Sequence, residues 1–178
     1  MMWTGIAESG FGGRDHGMAV IVFAVFSIVF IADAIYLFVI SKRFPKLTDA
    51  GRPEGKKMSK WYAIIFGSEG AAIGITCGIL YGLHYADFII PAIALIVGLH
   101  FYPMAKIFNR KVDYYLATWT CLVAISAIIM LVMKSTTEPD LFAFTGIGVA
   151  LATTSYGVYM LYEGRRYAKR TGSNPGLQ

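Results

Sequence analysis

Charge is scarce in this chain. Only 15% of its 178 residues are Asp, Glu, Lys or Arg, while 56% are hydrophobic, and the mean hydropathy is +0.57. That balance is too apolar for a soluble domain with a polar shell. Cysteine is almost absent. Cys77 and Cys121 are the only two, both inside apolar runs and with no C-x-x-C pair, which argues against a disulfide framework or a thiolate metal site. No H-E-x-x-H, no paired histidines on one helix and no activated-nucleophile motif occurs among the three histidines and eleven acids. The first residues carry no basic n-region, so no cleavable signal peptide is expected. The alternation of a barrel strand is missing as well.

Blocks of about twenty apolar residues are present instead, the length of helix that crosses a bilayer core. They predict an all-α membrane protein, a bundle of five transmembrane helices in a single integral-membrane domain. The spans are expected at 17–40, 61–83, 88–109, 114–133 and 141–162. Residues 1–16 read as a frayed polar leader with Trp3, Ile6 and Phe11 near the interface. Residues 41–60 read as an irregular basic loop broken by Pro45, Gly51, Pro53 and Gly55, and 163–178 as a basic tail. Asp87 is expected to cap the third span, and Thr136, Thr137, Pro139 and Asp140 provide turn chemistry before the fifth.

The basic residues set an orientation. Fourteen of the sixteen Lys and Arg fall in the first loop, the third loop and the tail; the leader has Arg14 and the fourth link Lys134. The positive-inside rule then places the N-terminus outside and the C-terminus in the cytoplasm. Tyr62, Tyr102, Tyr114, Tyr115, Tyr159, Tyr162 and Tyr167 gather toward the same inner interface, as an aromatic belt does. The net charge of +5 is therefore read as topology and contact with anionic lipids at the cytoplasmic face, and no nucleic-acid partner is expected.

Four glycines, Gly70, Gly74, Gly78 and Gly82, recur every fourth residue in the second span. In lipid, close backbone approach drives helix association, so this stripe predicts a tight contact. The expected partner is the fifth span, through Gly146, Ala150 and Thr154; a homodimer through the same stripe is the alternative.

Three ionisable residues lie inside spans. At about 1.5 Å of rise per residue, Asp33, Glu69 and His100 each fall roughly 9–12 Å from the cytoplasmic ends of their helices. Thr118, Thr120 and Cys121 on the fourth span, and Thr153, Thr154 and Ser155 on the fifth, reach the same depth. Intramembrane charges are expensive and mark functional sites by default. The expected ligand- or proton-binding set is Asp33, Glu69, His100, Tyr36, Thr118, Cys121 and Thr154. Any metal would fall to Asp33, Glu69 and His100, and no cofactor is identified. Pro103 removes the hydrogen bond to the Leu99 carbonyl and is the expected hinge.

The run Gly98-Leu99-His100-Phe101-Tyr102-Pro103-Met104-Ala105, followed by Phe108, resembles a stretch of small uncharacterised bacterial inner-membrane proteins. It covers little beyond the third span. The resemblance implies a multi-pass protein of the bacterial inner membrane and carries no activity.

Three functions fit these residues. The first is binding or conduction of a small cation, proton or polar solute. The second is a membrane-embedded enzyme with a carboxylate–histidine site, with or without a metal. The third is an accessory or scaffold subunit whose polar layer is internal glue.

Overall fold

Apolar runs with no polar punctuation fold as helices because a helix satisfies its backbone hydrogen bonds within one segment. The computed structural model describes residues 2–12, 14, 17–41 and 52–172, and among them every regular element is helical. The helices are α1 (Met2–Phe11), α2 (Met18–Ser41), α3 (Arg52–Gly82), α4 (Ile89–Phe108), α5 (Lys111–Val132) and α6 (Glu138–Gly172), with a 3-10 turn at Ala86–Phe88. Five of them, α2 to α6, contain stretches long and apolar enough to cross a membrane. They are compatible with a multi-pass membrane protein.

Several boundaries differ from the sequence reading. Residues 52–60, expected to be loop, begin α3. Pro53 sits in its first turn, where the missing N–H would have had no partner. The basic tail is helical as far as Gly172. Asp87 lies within the 3-10 turn and makes no cap, the position before α4 being Phe88. At the start of α6 the turn chemistry holds: Thr137 Oγ1 donates to Asp140 Oδ2 at 2.7 Å, and the Leu141 N–H bonds the Thr137 carbonyl. The parts of the loop and tail at 42–51 and 173–178 lie outside the described residues.

The centre is a three-helix stack of α4, α5 and α6. Small residues set its crossings. A Cβ on Gly98 would lie 2.7 Å from Cys121 Sγ and 2.9 Å from its backbone nitrogen, and one on Gly148 would lie 2.7 Å from Val123. Trp119 spans the α5–α6 seam, its indole N–H donating to the Gly148 carbonyl at 2.9 Å. Asn109, in the left-handed conformation that ends many helices, closes α4 and turns the chain into α5.

Two helices flank this stack on different partners. α3 packs mainly on α4, whereas α2 packs on α6 and α1. The chain runs in the same direction in α2 and α6: Phe30 faces Gly157 and Leu37 faces Gly164.

The leader is not frayed. α1 lies along the first half of α6, so close that a Cβ on Gly146 would meet the Ala7 nitrogen at 2.5 Å and the Trp3 carbonyl at 2.7 Å. Trp3 enters a cluster with Ala94, Val123, Ala124, Val149 and Ala150. Arg14 then ties the segment to Asp140 at 3.0 Å. Here Gly146 and Ala150 of the fifth span serve α1.

The glycine stripe of α3 has no such partner. A Cβ on Gly70, Gly74, Gly78 or Gly82 would meet nothing within 4 Å, so the expected packing of this stripe against the fifth span does not occur. The two kinds of glycine therefore respond differently to a methyl group. Gly146→Ala is expected to lower stability by about 1–3 kcal/mol through overpacking against α1. Gly78→Ala is expected to leave it unchanged or raise it by up to about 1 kcal/mol, the gain in helix propensity. Unfolding of both variants in mixed micelles checks the difference.

Candidate functional site

Burying a charge among apolar helices is costly unless a partner of opposite sign reaches it. Three acid–base pairs meet that demand. The first joins α3 to α4. Glu69 and His100 approach to 3.3 Å between Oε1 and Nδ1, and their side chains are only 12% and 10% exposed. Phe66 stands edge-on to the imidazole at 5.8 Å, and Phe101 lies 4.2 Å from it on the same helix. The carboxylate and imidazole are close but misaligned, and His100 Nδ1 has no hydrogen-bond partner of good geometry among the described residues.

The second pair joins α2 to α6. Asp33 is buried and accepts a 2.7 Å hydrogen bond from Arg165 Nε, whose side chain is 57% exposed. The arginine comes from the charged end of α6, and more than half of its side chain stays exposed while its Nε meets the buried carboxylate. The third pair sits at the α4–α5 turn. Asp113 is fully buried with Arg110 Nε 3.4 Å away, and neither carboxylate oxygen makes a hydrogen bond among the described residues. The Arg110 guanidinium rests 4.7 Å from the centre of the Phe108 ring and 5.9 Å from that of Tyr156. Tyr156 also stacks edge-on with Phe101 at 5.8 Å, which connects this node to His100 through two aromatic rings.

The expected set of seven residues is thus divided. Glu69 and His100 meet. Asp33 does not join them: α2 and α3 pack on different helices, and Asp33 is held by Arg165. The single three-residue layer is corrected to two separate pairs. Among the described residues no group of three or more His, Cys, Asp and Glu side chains could hold a metal ion, so Asp33, Glu69 and His100 form no metal site there. Tyr36 is exposed and does not serve Asp33. Thr118 donates to the Tyr114 carbonyl at 2.9 Å and contacts the Tyr102 hydroxyl of α4 at 3.1 Å, so these bonds reach neither pair. Cys121 is buried in the α4–α5 crossing against Gly98. Thr154 is half-buried on α6 with no polar contact to either pair, and its neighbour Thr153 bonds the backbone. Pro103 is exposed, and α4 continues as a helix through it.

The sequence reading missed Arg165, Arg110, Asp113 and Tyr156. Arg110 and Asp113 stand at i, i+3, a spacing at which side chains on a helical turn meet, and that signal was available. Arg165 was hidden because α6 was ended too early. No protein family model, curated protein or solved structure matches this chain.

The Asp33–Arg165 pair is asymmetric, and its two truncations should be too. Arg165→Gln strands a buried carboxylate and is expected to cost about 3 kcal/mol. Asp33→Asn leaves only a half-exposed guanidinium and is expected to cost about 1 kcal/mol or less. A double-mutant cycle read by unfolding checks the order, and equal costs would refute the assigned burial.

Proposed function

We propose that the chain is a multi-pass protein of the bacterial inner membrane, N-terminus outside and C-terminus cytoplasmic, that binds and relays a proton at Glu69 and His100. The observation that carries this reading is a carboxylate and an imidazole 3.3 Å apart in the interior of two long apolar helices. A carboxyl group and an imidazole at this distance are close enough to exchange a proton once a small side-chain rotation aligns them. With one proton between them the pair is neutral as a whole, the state a low-dielectric setting favours. Losing that proton or gaining a second leaves a net charge in place, so any proton passing through the pair changes its charge state.

The orientation has support in where the basic side chains lie. Lys56, Lys57 and Lys60 open α3, Lys106 closes α4, Arg110 and Lys111 begin α5, and Arg165 and Arg166 belong to the last turns of α6. Successive antiparallel helices bring these positions to one end. Arg14 and Lys134 belong to the other. A cytoplasmic leaflet rich in anionic lipid suits the first end.

A second reading, an accessory subunit or a homodimer, has one observation in its favour. The glycine stripe of α3 is open along its whole length while α3 is held mainly by α4. Such a groove is suited to another helix at close range.

Proton passage is tested in liposomes that enclose a pH-sensitive dye, with a potassium diffusion potential as the driving force. Acidification is expected for the native chain, and Glu69→Gln and His100→Gln are each expected to reduce the rate about a hundredfold or more, the lower end of what a positioned acid–base group contributes. Unchanged rates in both folded variants would reject the proton reading. In the same vesicles, cross-linking through Gly78→Cys reports whether α3 meets a second copy.

A further inference from the structure

Between α2 and α6 runs a groove of about 540 Å³, within the range of small-ligand sites. Its walls are apolar: Phe30, Ala34 and Leu37 on α2 face Met160 and Leu161 on α6. Charge enters it from two directions. Arg110 lines the groove from the α4–α5 turn, and Asp33 lines it with Arg165 bound to its carboxylate.

Arg110 is poorly served by the groups around it. Its Nη1 donates to Met160 Sδ at 3.0 Å, and a thioether is a weak acceptor. Its Nε has no hydrogen-bond partner among the described residues, since Asp113 lies at 3.4 Å outside bonding geometry. Beside it stand the Phe108 ring and Tyr156, whose ring it faces and whose hydroxyl accepts a hydrogen bond from it. A guanidinium has five donors, and no anion takes any of them here in good geometry. Arg165 spends Nε on Asp33 and keeps its remaining donors on a half-exposed side chain. The other acid at the rim, Glu163, is engaged by Arg166 at 3.5 Å.

We propose that this groove binds an anionic phospholipid, with the phosphate between Arg110 and Arg165 and one acyl chain along the α2 and α6 walls. Guanidinium is the side chain best matched to phosphate oxygens. The apolar walls select a lipid over free phosphate, because they would gain nothing from a small anion. Asp33, which lines the groove, then acts as a positioning residue that anchors Arg165 beside it. The site rests on the membrane insertion proposed above and is independent of Glu69 and His100.

The test uses the full chain purified in a neutral detergent, and recovery of the chain from the soluble fraction would overturn the membrane reading before any lipid is added. Thermal unfolding is then followed while phosphatidylglycerol, phosphatidylcholine or inorganic phosphate is titrated. Phosphatidylglycerol is expected to raise the midpoint saturably, at a concentration about tenfold lower than phosphatidylcholine requires, because phosphatidylcholine carries the same phosphate but adds a quaternary ammonium that two guanidinium groups repel. Inorganic phosphate is expected to do nothing. Arg110→Gln should remove the preference for phosphatidylglycerol. Because that change strands Asp113, Ala34→Trp provides the second variant: it fills the groove from an exposed position, leaves both arginines in place, and should abolish the response. Equal responses to the two lipids, a response to inorganic phosphate of the same size, or an unaltered response in folded Ala34→Trp would each overturn the proposal.

Discussion

Three carboxylates enclosed by the helices, Asp33, Glu69 and Asp113, each face a cation or an imidazole from another turn or another helix. Asp33 takes Arg165, Glu69 takes His100, and Asp113 takes Arg110. The helices around them are almost entirely apolar, and neither lipid nor a packed interior solvates an unpaired charge. This constraint decides more of the architecture than the apolar surface does. Apolar faces can slide or rotate against one another at little cost. A carboxylate that must find one particular side chain fixes the register of the two helices that carry it.

The pairs also divide the molecule into parts held by different means. Within the α4–α5–α6 stack the backbones approach closely at Gly98 and Gly148, and contact depends on the absence of side chains. Close crossings of this kind gain from dispersion over many atoms. The α1–α6 contact uses the same device at Gly146 and Gly10, where an added Cβ would run into the opposing backbone. The outer helices add polar anchors: Arg165 ties α6 to α2 beside the Phe30–Gly157 and Leu37–Gly164 contacts, and Glu69 of α3 meets His100 of α4. Glycine marks close packing in α6 and α4, yet in α3 the same residue at regular spacing touches nothing.

That contrast explains how far the sequence could be read. The spans were legible because apolar length is a local property, and the ends were less so. Apolar runs stop before helices do, which is why Arg52–Lys60 and Glu163–Gly172 were assigned to loop and tail. Depth along each helix was legible too, since rise per residue is constant, and it correctly gave Glu69 and His100 the same level. Azimuth and neighbour order were not. The same rise per residue assigns Asp33 to that level, but nothing in the residues of α2 says that it packs on α6 rather than on α3. For α1, ten residues with four glycines nearby looked too short and polar to dock. The groove that receives it is built from Gly146 and Ala150, far along the chain, so no local pattern could announce it.

Neighbour order also bears on what a proton could do. α3 is attached mainly to α4, and Glu69–His100 sits in that one interface. Its other contacts there are apolar, among them Ile65 packed with Phe101 and Met104. Apolar surroundings disfavour every charged form of the pair, so a change in its charge state costs free energy at this one interface. The differential free energy between charge states is therefore concentrated in the seat of α3, and an equilibrium shifts only by such a difference. Asp33–Arg165 and Arg110–Asp113 lie outside the α3–α4 interface and stay paired whichever state Glu69 and His100 adopt. Proton binding under the proposed function would thus act on the position of α3, the helix whose glycine face is open, and leave the α4–α5–α6 stack as the fixed frame.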